Sequence, residues 1–263
     1  MKVHLVIIDP QNDFCDSSGS LFVPGADEDM NRLASLVDRK FDKFYDISVT
    51  LDSHQRFDIA HPTFWKDADG NHPSPFTLIT SQEVRDQIWR PAIPSHFKRA
   101  LAYTEALEVN AKYQLCIWPP HCLIGSWGHN VYPALHAALE RFEAPGAVTN
   151  YVTKGSNIWT EHYSAVQAEV VDPNDPTTQL NARFIQTISD SDIVALAGEA
   201  SSHCLASTAK DIADHFGDDF VRKIVLLEDA TSPVTGFESQ ATDFINDLTA
   251  RGMKISNTQD FLA

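Results

Sequence analysis

Five short apolar runs in the chain end in a reactive side chain, and no other feature constrains the fold as strongly. HLVII leads into Asp9, ISVTL into Asp52 and His54, LCIWPP into His121, AVTNYVT into Lys154, and DIVALAG into the loop before Cys204. Runs rich in Val, Ile and Leu that alternate with helical stretches are the pattern of parallel strands buried on both faces. Ligands of an open parallel α/β sheet bind just beyond the carboxyl ends of its strands, so these side chains are expected to meet in one crevice. The expected fold class is α/β: a doubly wound, Rossmann-like parallel sheet of about six strands in three α/β/α layers, with long loop insertions.

Periodicity places strands near residues 3–8, 45–51, 113–118, 147–153, 192–197, 221–227 and 254–256. It places helices near 27–39, 97–111, 132–142, 177–189, 203–216 and 237–251. In the first of these helices Met30, Leu33, Leu36 and Val37 form one apolar stripe. The stretch near 57–96 lacks such a pattern, and so does the excursion near 164–187 up to the helix that closes it. Long irregular stretches inside a compact domain usually carry function, as a lid or an interface. Residues 1–263 therefore read as one domain with two insertions.

Composition narrows the function. The 263 residues can bury a full core, and a formal net charge of −16 argues against a nucleic-acid or anionic-membrane partner. No apolar run approaches the length of a membrane span. MKVHLVIIDPQNDF reads as a strand with Asp9 at its end, not as a secretory leader, and four cysteines then suggest free thiols in the cytoplasm.

Cys204 is the strongest candidate nucleophile because it opens a helix after a tight turn. There a helix N-terminus favours thiolate and supplies backbone N–H groups for an oxyanion. Cys116, inside an apolar run, fits a core residue, whereas Cys15 and Cys122 lie near strand ends and stay weaker rivals. A thiol needs a base and charge compensation, for which Asp9 and Lys154 are candidates. Their plainer readings are an Asp-Pro turn and an exposed lysine before Gly155. Asp52 and His54, two residues apart, share one side of a strand end. With His121 they make a first shell for zinc, iron or manganese, and His61 is a candidate fourth ligand.

HLVIIDPQNDF followed by GSLFVPGA, and then TLDSH, WPPHC, VTKG and GEASSHC in order, resembles the isochorismatase-like cysteine hydrolases, nicotinamidases in particular. The resemblance runs from the first strand through the nucleophile helix. It implies a triad of Asp9, Lys154 and Cys204, and a metal on Asp52, His54 and His121 that takes the pyridine nitrogen of the substrate. It also implies a cis peptide between Glu199 and Ala200, an oxyanion hole from the N–H groups of Ala200 and Cys204, and ring stacking by Phe14 and Trp118. The chain departs from the family at Ser53 (usually Trp), Ser202 (usually Asp) and Glu199 (usually apolar). His61 lies one residue further from His54 than the family's usual third His. These changes surround the substrate, where Glu199 is a candidate to accept a hydrogen bond from a substrate N–H.

The implied function is a metal-containing cysteine amidohydrolase that converts a small carboxamide, with nicotinamide the best single expectation, through a Cys thioester. One alternative keeps the triad but takes another amide, a ureide or an N-carbamoyl compound. Another is a non-catalytic ligand-binding or interaction protein. By analogy with the family, a homo-oligomer is expected.

Overall fold

A computed structural model of the chain describes residues 1–110 and 114–263. The first apolar run forms β1 (Val3–Ile8), all of whose residues are buried. The short α1 (Asn12–Cys15) and the long α2 (Ala26–Lys40) lead to β2 (Phe44–Asp52). The first insertion holds small elements of its own: β3 (Trp65–Lys66), β4 (Leu78–Ile79), α3 (Ser81–Arg85) and β5 (Arg90–Pro91). A capping box starts α3, the Thr80 hydroxyl accepting from the Glu83 N–H while the Glu83 carboxylate accepts from the Thr80 N–H. There follow α4 (Phe97–Asn110), β6 (Leu115–Cys116), α5 (Pro133–Glu143) and β7 (Asn150–Lys154). The chain ends with α6 (Ala182–Ser189), β8 (Ile193–Gly198), α7 (Cys204–Phe216), α8 (Asp218–Val221), β9 (Ile224–Leu227), α9 (Glu238–Arg251) and β10 (Lys254–Ser256).

Six strands pair in the order β10-β9-β8-β1-β2-β7, and every pairing is parallel. The chain winds outward from β1 through β2 to β7, then returns to lay β8 on the other side of β1. The switch of direction between β1 and β8 opens the crevice in which a doubly wound sheet places its ligand. α2 packs against α5 on one face, and α7 packs against α8 and α9 on the other.

The expected strand at 113–118 is not part of this sheet. Its start at residue 113, like the expected helix end at 111, lies outside the described residues. Leu115–Cys116 instead pairs antiparallel with Leu78–Ile79 of the first insertion. The Ile117 N–H donates to the Thr77 carbonyl and the Trp118 N–H to that of Ala60. Pro119 and Pro120 lack the N–H groups that a central strand must donate, so the run cannot extend into one. His121 therefore reaches the crevice on a loop. The expected helix at 177–189 is also shorter: 176–178 form a 3-10 turn, and α6 starts where the Asn181 side chain accepts from the Phe184 N–H.

Candidate active site

Three buried strand ends meet around one ammonium. Asp9 leaves β1 in the left-handed region, with φ 42°. Its carboxyl faces β2, where the Thr50 hydroxyl donates to Oδ1 at 2.5 Å and accepts from the Asp9 N–H at 2.9 Å. Lys154 ends β7 directly beside Asp52 in the parallel register. Its Nζ lies 2.8 Å from Asp9 Oδ2, 3.2 Å from Asp52 Oδ1 and 3.6 Å from Cys204 Sγ, and it donates to the His162 carbonyl at 3.0 Å. Burial opposes the charge on Lys154, but the carboxylates of Asp52 and Asp9 outweigh it and push the pKa well above the ordinary lysine value.

At Cys204 burial opposes the thiolate that a helix N-terminus favours. It pushes the thiol well above the ordinary value, with Lys154 pulling the other way and the charges of Asp9 and Asp52 adding to the rise. Asp9 lies within hydrogen-bonding reach of the thiol. Burial raises the Asp9 carboxyl above the usual range, against the pull of Lys154.

The turn that presents Cys204 is shaped by its neighbours. Gly198 has φ 102°, and a Cβ there would come within 2.1 Å of the Ile8 carbonyl oxygen. The peptide between Glu199 and Ala200 is cis. The Ser201 N–H donates to the Ser232 carbonyl, and the Leu205 N–H to that of Ala200. Ala200 and Cys204 both line a cavity at the sheet's carboxyl edge.

Across that cavity, ligand atoms of Asp52, His54 and His121 all lie within 4.8 Å of one another. Asp52 Oδ2 is 3.0 Å from His54 Nε2 and 3.4 Å from His121 Nε2. Each outer ring nitrogen has a partner: His54 Nδ1 lies 3.3 Å from Asp58 Oδ2, and His121 Nδ1 lies 2.8 Å from the Pro119 carbonyl. Such outer partners turn Nε2 inward and set ligand tautomers in metal sites. His61 follows the same pattern. Its Nδ1 faces the Gln55 carbonyl at 3.1 Å, its ring centre lies 5.0 Å from that of His54, and its buried Nε2 has no hydrogen-bond partner among the described residues. Burial alone would raise the Asp52 carboxyl, but the charges of His54 and Lys154 hold it well below the usual range. A carboxylate and inward-facing imidazoles at this spacing fit a divalent cation.

Phe14, Trp118, Tyr163 and His121 line the cavity with Ala200 and Cys204. Trp118 is held upright by its Nε1–H, which donates to the Tyr163 hydroxyl at 3.1 Å. Glu199 does not take the expected place. It is fully buried, and its Oε2 accepts from the Ser232 N–H at 3.1 Å, away from the cavity lining. It follows β8 into the cis peptide, and its carboxyl packs beneath the turn toward α2.

Three side chains that the sequence reading passed over organise the site. Gln11 clamps the Asp52 backbone, accepting from its N–H at 2.7 Å and donating to its carbonyl at 2.8 Å. Asp13 accepts from the Cys122 N–H at 2.6 Å and thereby anchors the loop that carries His121. Glu161 lines the cavity, and burial pushes its carboxyl up to about 8. Polar residues packed into the otherwise buried PQNDF turn were the available signal for Gln11 and Asp13. Glu161 lies in an irregular stretch with no such signal.

This parallel α/β/α fold is shared with solved nicotinamidases and pyrazinamidases, and the chain is similar to them over nearly its whole length. The nicotinamidase of Saccharomyces cerevisiae is 24% identical over 234 residues, 88% of each chain. The solved yeast nicotinamidase superposes with a TM-score of 0.67 at 20% identity, covering 97% of this chain and 99% of that one. A nicotinamidase/pyrazinamidase of Acinetobacter baumanii gives 0.66 at 22% identity, covering 99% and 98%. A pyrazinamidase of Pyrococcus horikoshii, solved in complex with zinc, gives 0.59 at 17% identity, covering 98% and 99%. No protein-family model matches the chain.

Proposed function

We propose that the chain is a metal-containing cysteine amidohydrolase that converts nicotinamide to nicotinate and ammonia. The observation that carries this reading is the single Lys154 ammonium, 2.8 Å from Asp9 and 3.6 Å from the Cys204 sulfur, at a cavity walled by Phe14 and Trp118. The names of the relatives support the substrate class.

In this reading the substrate ring lies between Phe14 and Trp118, its carboxamide over Cys204. Asp9 takes the thiol proton as sulfur attacks the carbonyl carbon, and Lys154 holds the carboxyl and the sulfur in register. The oxygen that gains charge meets the N–H groups of Ala200 and Cys204. Asp9 returns the proton to the leaving nitrogen, ammonia departs, and water cleaves the thioester to regenerate the thiol. Asp52, His54 and His121, with His61 as fourth ligand, would hold a divalent cation. Zinc is the proposed ion, for its fit to nitrogen and oxygen donors, and it would supply a Lewis acid for the pyridine nitrogen.

The buried position of Glu199 removes the specific support for a ureide or N-carbamoyl substrate. We further infer that residues 1–263 act as one domain and that the protein works in the cytoplasm as a homo-oligomer. Among the described residues no helix is long and apolar enough to cross a membrane. The zinc-loaded protein should release ammonia and nicotinate from nicotinamide, and Cys204→Ala should abolish both while keeping fold and metal. Turnover retained in Cys204→Ala, or no turnover by the loaded wild type, overturns the reading.

A further inference from the structure

Glu199 sits where an apolar residue would satisfy the same space, directly before the peptide that carries the Ala200 N–H. It is fully buried, and its hydrogen-bond donor among the described residues is the Ser232 N–H, not a basic side chain. Ser232 bridges it to the Asp29 carboxyl of α2, giving its N–H to Glu199 Oε2 at 3.1 Å and its hydroxyl to Asp29 Oδ2, and the two acids lie within reach of each other. Asp29 is itself 2% exposed and holds two donors: Arg32 Nη2 at 2.6 Å on Oδ1 and the Ser232 hydroxyl at 2.6 Å on Oδ2. Two carboxylates cannot both stay ionised at this separation away from water, so one must keep a proton. Arg32 pairs with Asp29, which leaves Glu199 as the neutral acid. The oxygens of Glu199 agree with that assignment. Oε2 accepts from the Ser232 N–H, whereas Oε1 is buried and receives no donor among the described residues, as befits the oxygen that bears the proton.

The same network reaches the cavity from both sides of Ala200. Ser232 takes the Ser201 N–H on its carbonyl while giving its own N–H to Glu199, so one residue brackets the cis peptide. Two residues on, the Val234 N–H donates to the Ser202 hydroxyl at 3.0 Å, and Val234 lines the cavity. We propose that Glu199 and Asp29 share one proton and act as a positioning pair that fixes the Glu199–Ala200 peptide and the loop 232–234 against the cavity. The role in turnover rests on the cysteine amidohydrolase reading; the shared proton does not. Besides Arg32, the titratable group that senses this pair is Cys15 of α1. Burial, and then the charge of Asp29, push the Glu199 pKa well above the usual range, so the pair loses its proton only as pH rises through that raised value.

Glu199→Gln tests this cleanly, because a glutamine can donate to Asp29 and accept from Ser232 without a titrating proton. Infrared difference spectra of the full chain at neutral pH should show a protonated carboxyl band that Glu199→Gln removes, with Glu161→Gln and Asp9→Asn as the controls for the other raised carboxyls. A folded-state pKa above the unfolded one means that stability is lost as pH rises through the folded value. As pH rises from the ordinary carboxyl value to the raised folded one, the wild-type thermal midpoint should therefore fall more than that of Glu199→Gln. With zinc-loaded protein and nicotinamide, Glu199→Gln should keep kcat within about threefold and lose the decline as pH rises. Glu199→Leu should lower kcat about tenfold or more at little change in KM, as for a slightly misplaced oxyanion donor.

An unchanged carboxyl band in Glu199→Gln, or wild-type kcat in Glu199→Leu, overturns the proposal. If the wild type releases no ammonia, the amide reading fails. The infrared band and the pH-dependent midpoint then still decide the pair, and Glu199→Gln supplies both even if Glu199→Leu does not fold.

Discussion

Lys154 Nζ lies 3.2 Å from Asp52 Oδ1, so one buried ammonium joins the thiol group of the site to the metal-ligand group. The contact is built into the sheet, because Asp52 and Lys154 are register partners at the ends of β2 and β7. Side chains at paired positions of neighbouring strands leave the same face, and at a strand end they leave into the crevice. The lysine thus offsets the charge of Asp9, of Asp52 and of the thiolate proposed to form at Cys204.

Removing that charge strands two buried carboxylates. Lys154→Met should lower kcat by about two to three orders of magnitude, the scale for losing one preorganised electrostatic partner. The bound metal should remain, since Lys154 supplies no ligand atom and its loss only makes the neighbourhood of Asp52 more negative. Steady-state kinetics beside metal analysis of the same samples checks both halves. Loss of metal in step with activity would show that Lys154 supports the ligand group instead of the nucleophile.

The acid limb of the pH–rate profile should belong to Asp9. A carboxyl raised by burial accepts its proton at a higher pH than the ordinary value of about 3.9. As pH falls through that raised value the base is protonated and kcat/KM falls, so the limb should lie above the ordinary carboxylate range. Asp9→Asn should lack this limb and run at least about a hundredfold slower, as expected when a positioned base is lost. A profile of kcat/KM for both proteins decides it, and an acid limb that survives in Asp9→Asn would assign the group elsewhere.

His61 gives a direct test of the ligand number. Its Nδ1 is turned outward to the Gln55 carbonyl and its Nε2 is buried without a partner among the described residues. Burial lowers its pKa to about 2, so the imidazole is neutral and free to coordinate. His61→Ala should weaken zinc binding about tenfold or more, and His54→Ala or His121→Ala by more still. Competition with a chromogenic chelator reads the affinity without requiring turnover. Chelation should abolish ammonia release by the wild type, and added zinc should restore it.

The strand-end pattern made the sheet and the meeting of Asp9, Asp52, Lys154 and Cys204 readable in advance, because a parallel sheet fixes where each strand stops. His121 was grouped correctly but for an incorrect reason. Its run looked like a strand, yet two prolines confine it to a loop that depends on Asp13 and on the first insertion. Glu199 was misplaced because sequence order puts it next to Ala200, whereas the side chain of a residue leaving a strand can face either side of the sheet. Its destination was set by Asp29 and Ser232, about 170 and 33 positions away, and pairing of that kind leaves no local signal. Glu161 stayed hidden for a similar reason, on a loop without periodicity.

Gly198 and Gly146 separate the cost of a backbone conformation from the cost of a collision. Both have positive φ, 102° and 104°, where a side chain adds about 1–2 kcal/mol of strain. A Cβ on Gly146 meets nothing within 4 Å, so Gly146→Ala should cost little beyond that strain. A Cβ on Gly198 comes within 2.1 Å of the Ile8 carbonyl oxygen and 2.5 Å of its nitrogen, and neither can yield easily. Ile8 is the register partner of Gly198, and its carbonyl accepts from the Glu199 N–H at 2.7 Å. Gly198→Ala must therefore part β1 from β8 at the end that carries both Asp9 and the cis peptide. We expect a loss of more than about 3 kcal/mol, in the range of substitutions that overpack a core at a special φ/ψ. In a chain of this length that corresponds to a fall of roughly 10 °C in Tm. Ammonia release should drop further than stability alone predicts, since both the base and the oxyanion peptide hang from this contact. Equal melting temperatures for the two alanine variants would show that the sheet end can open at no cost.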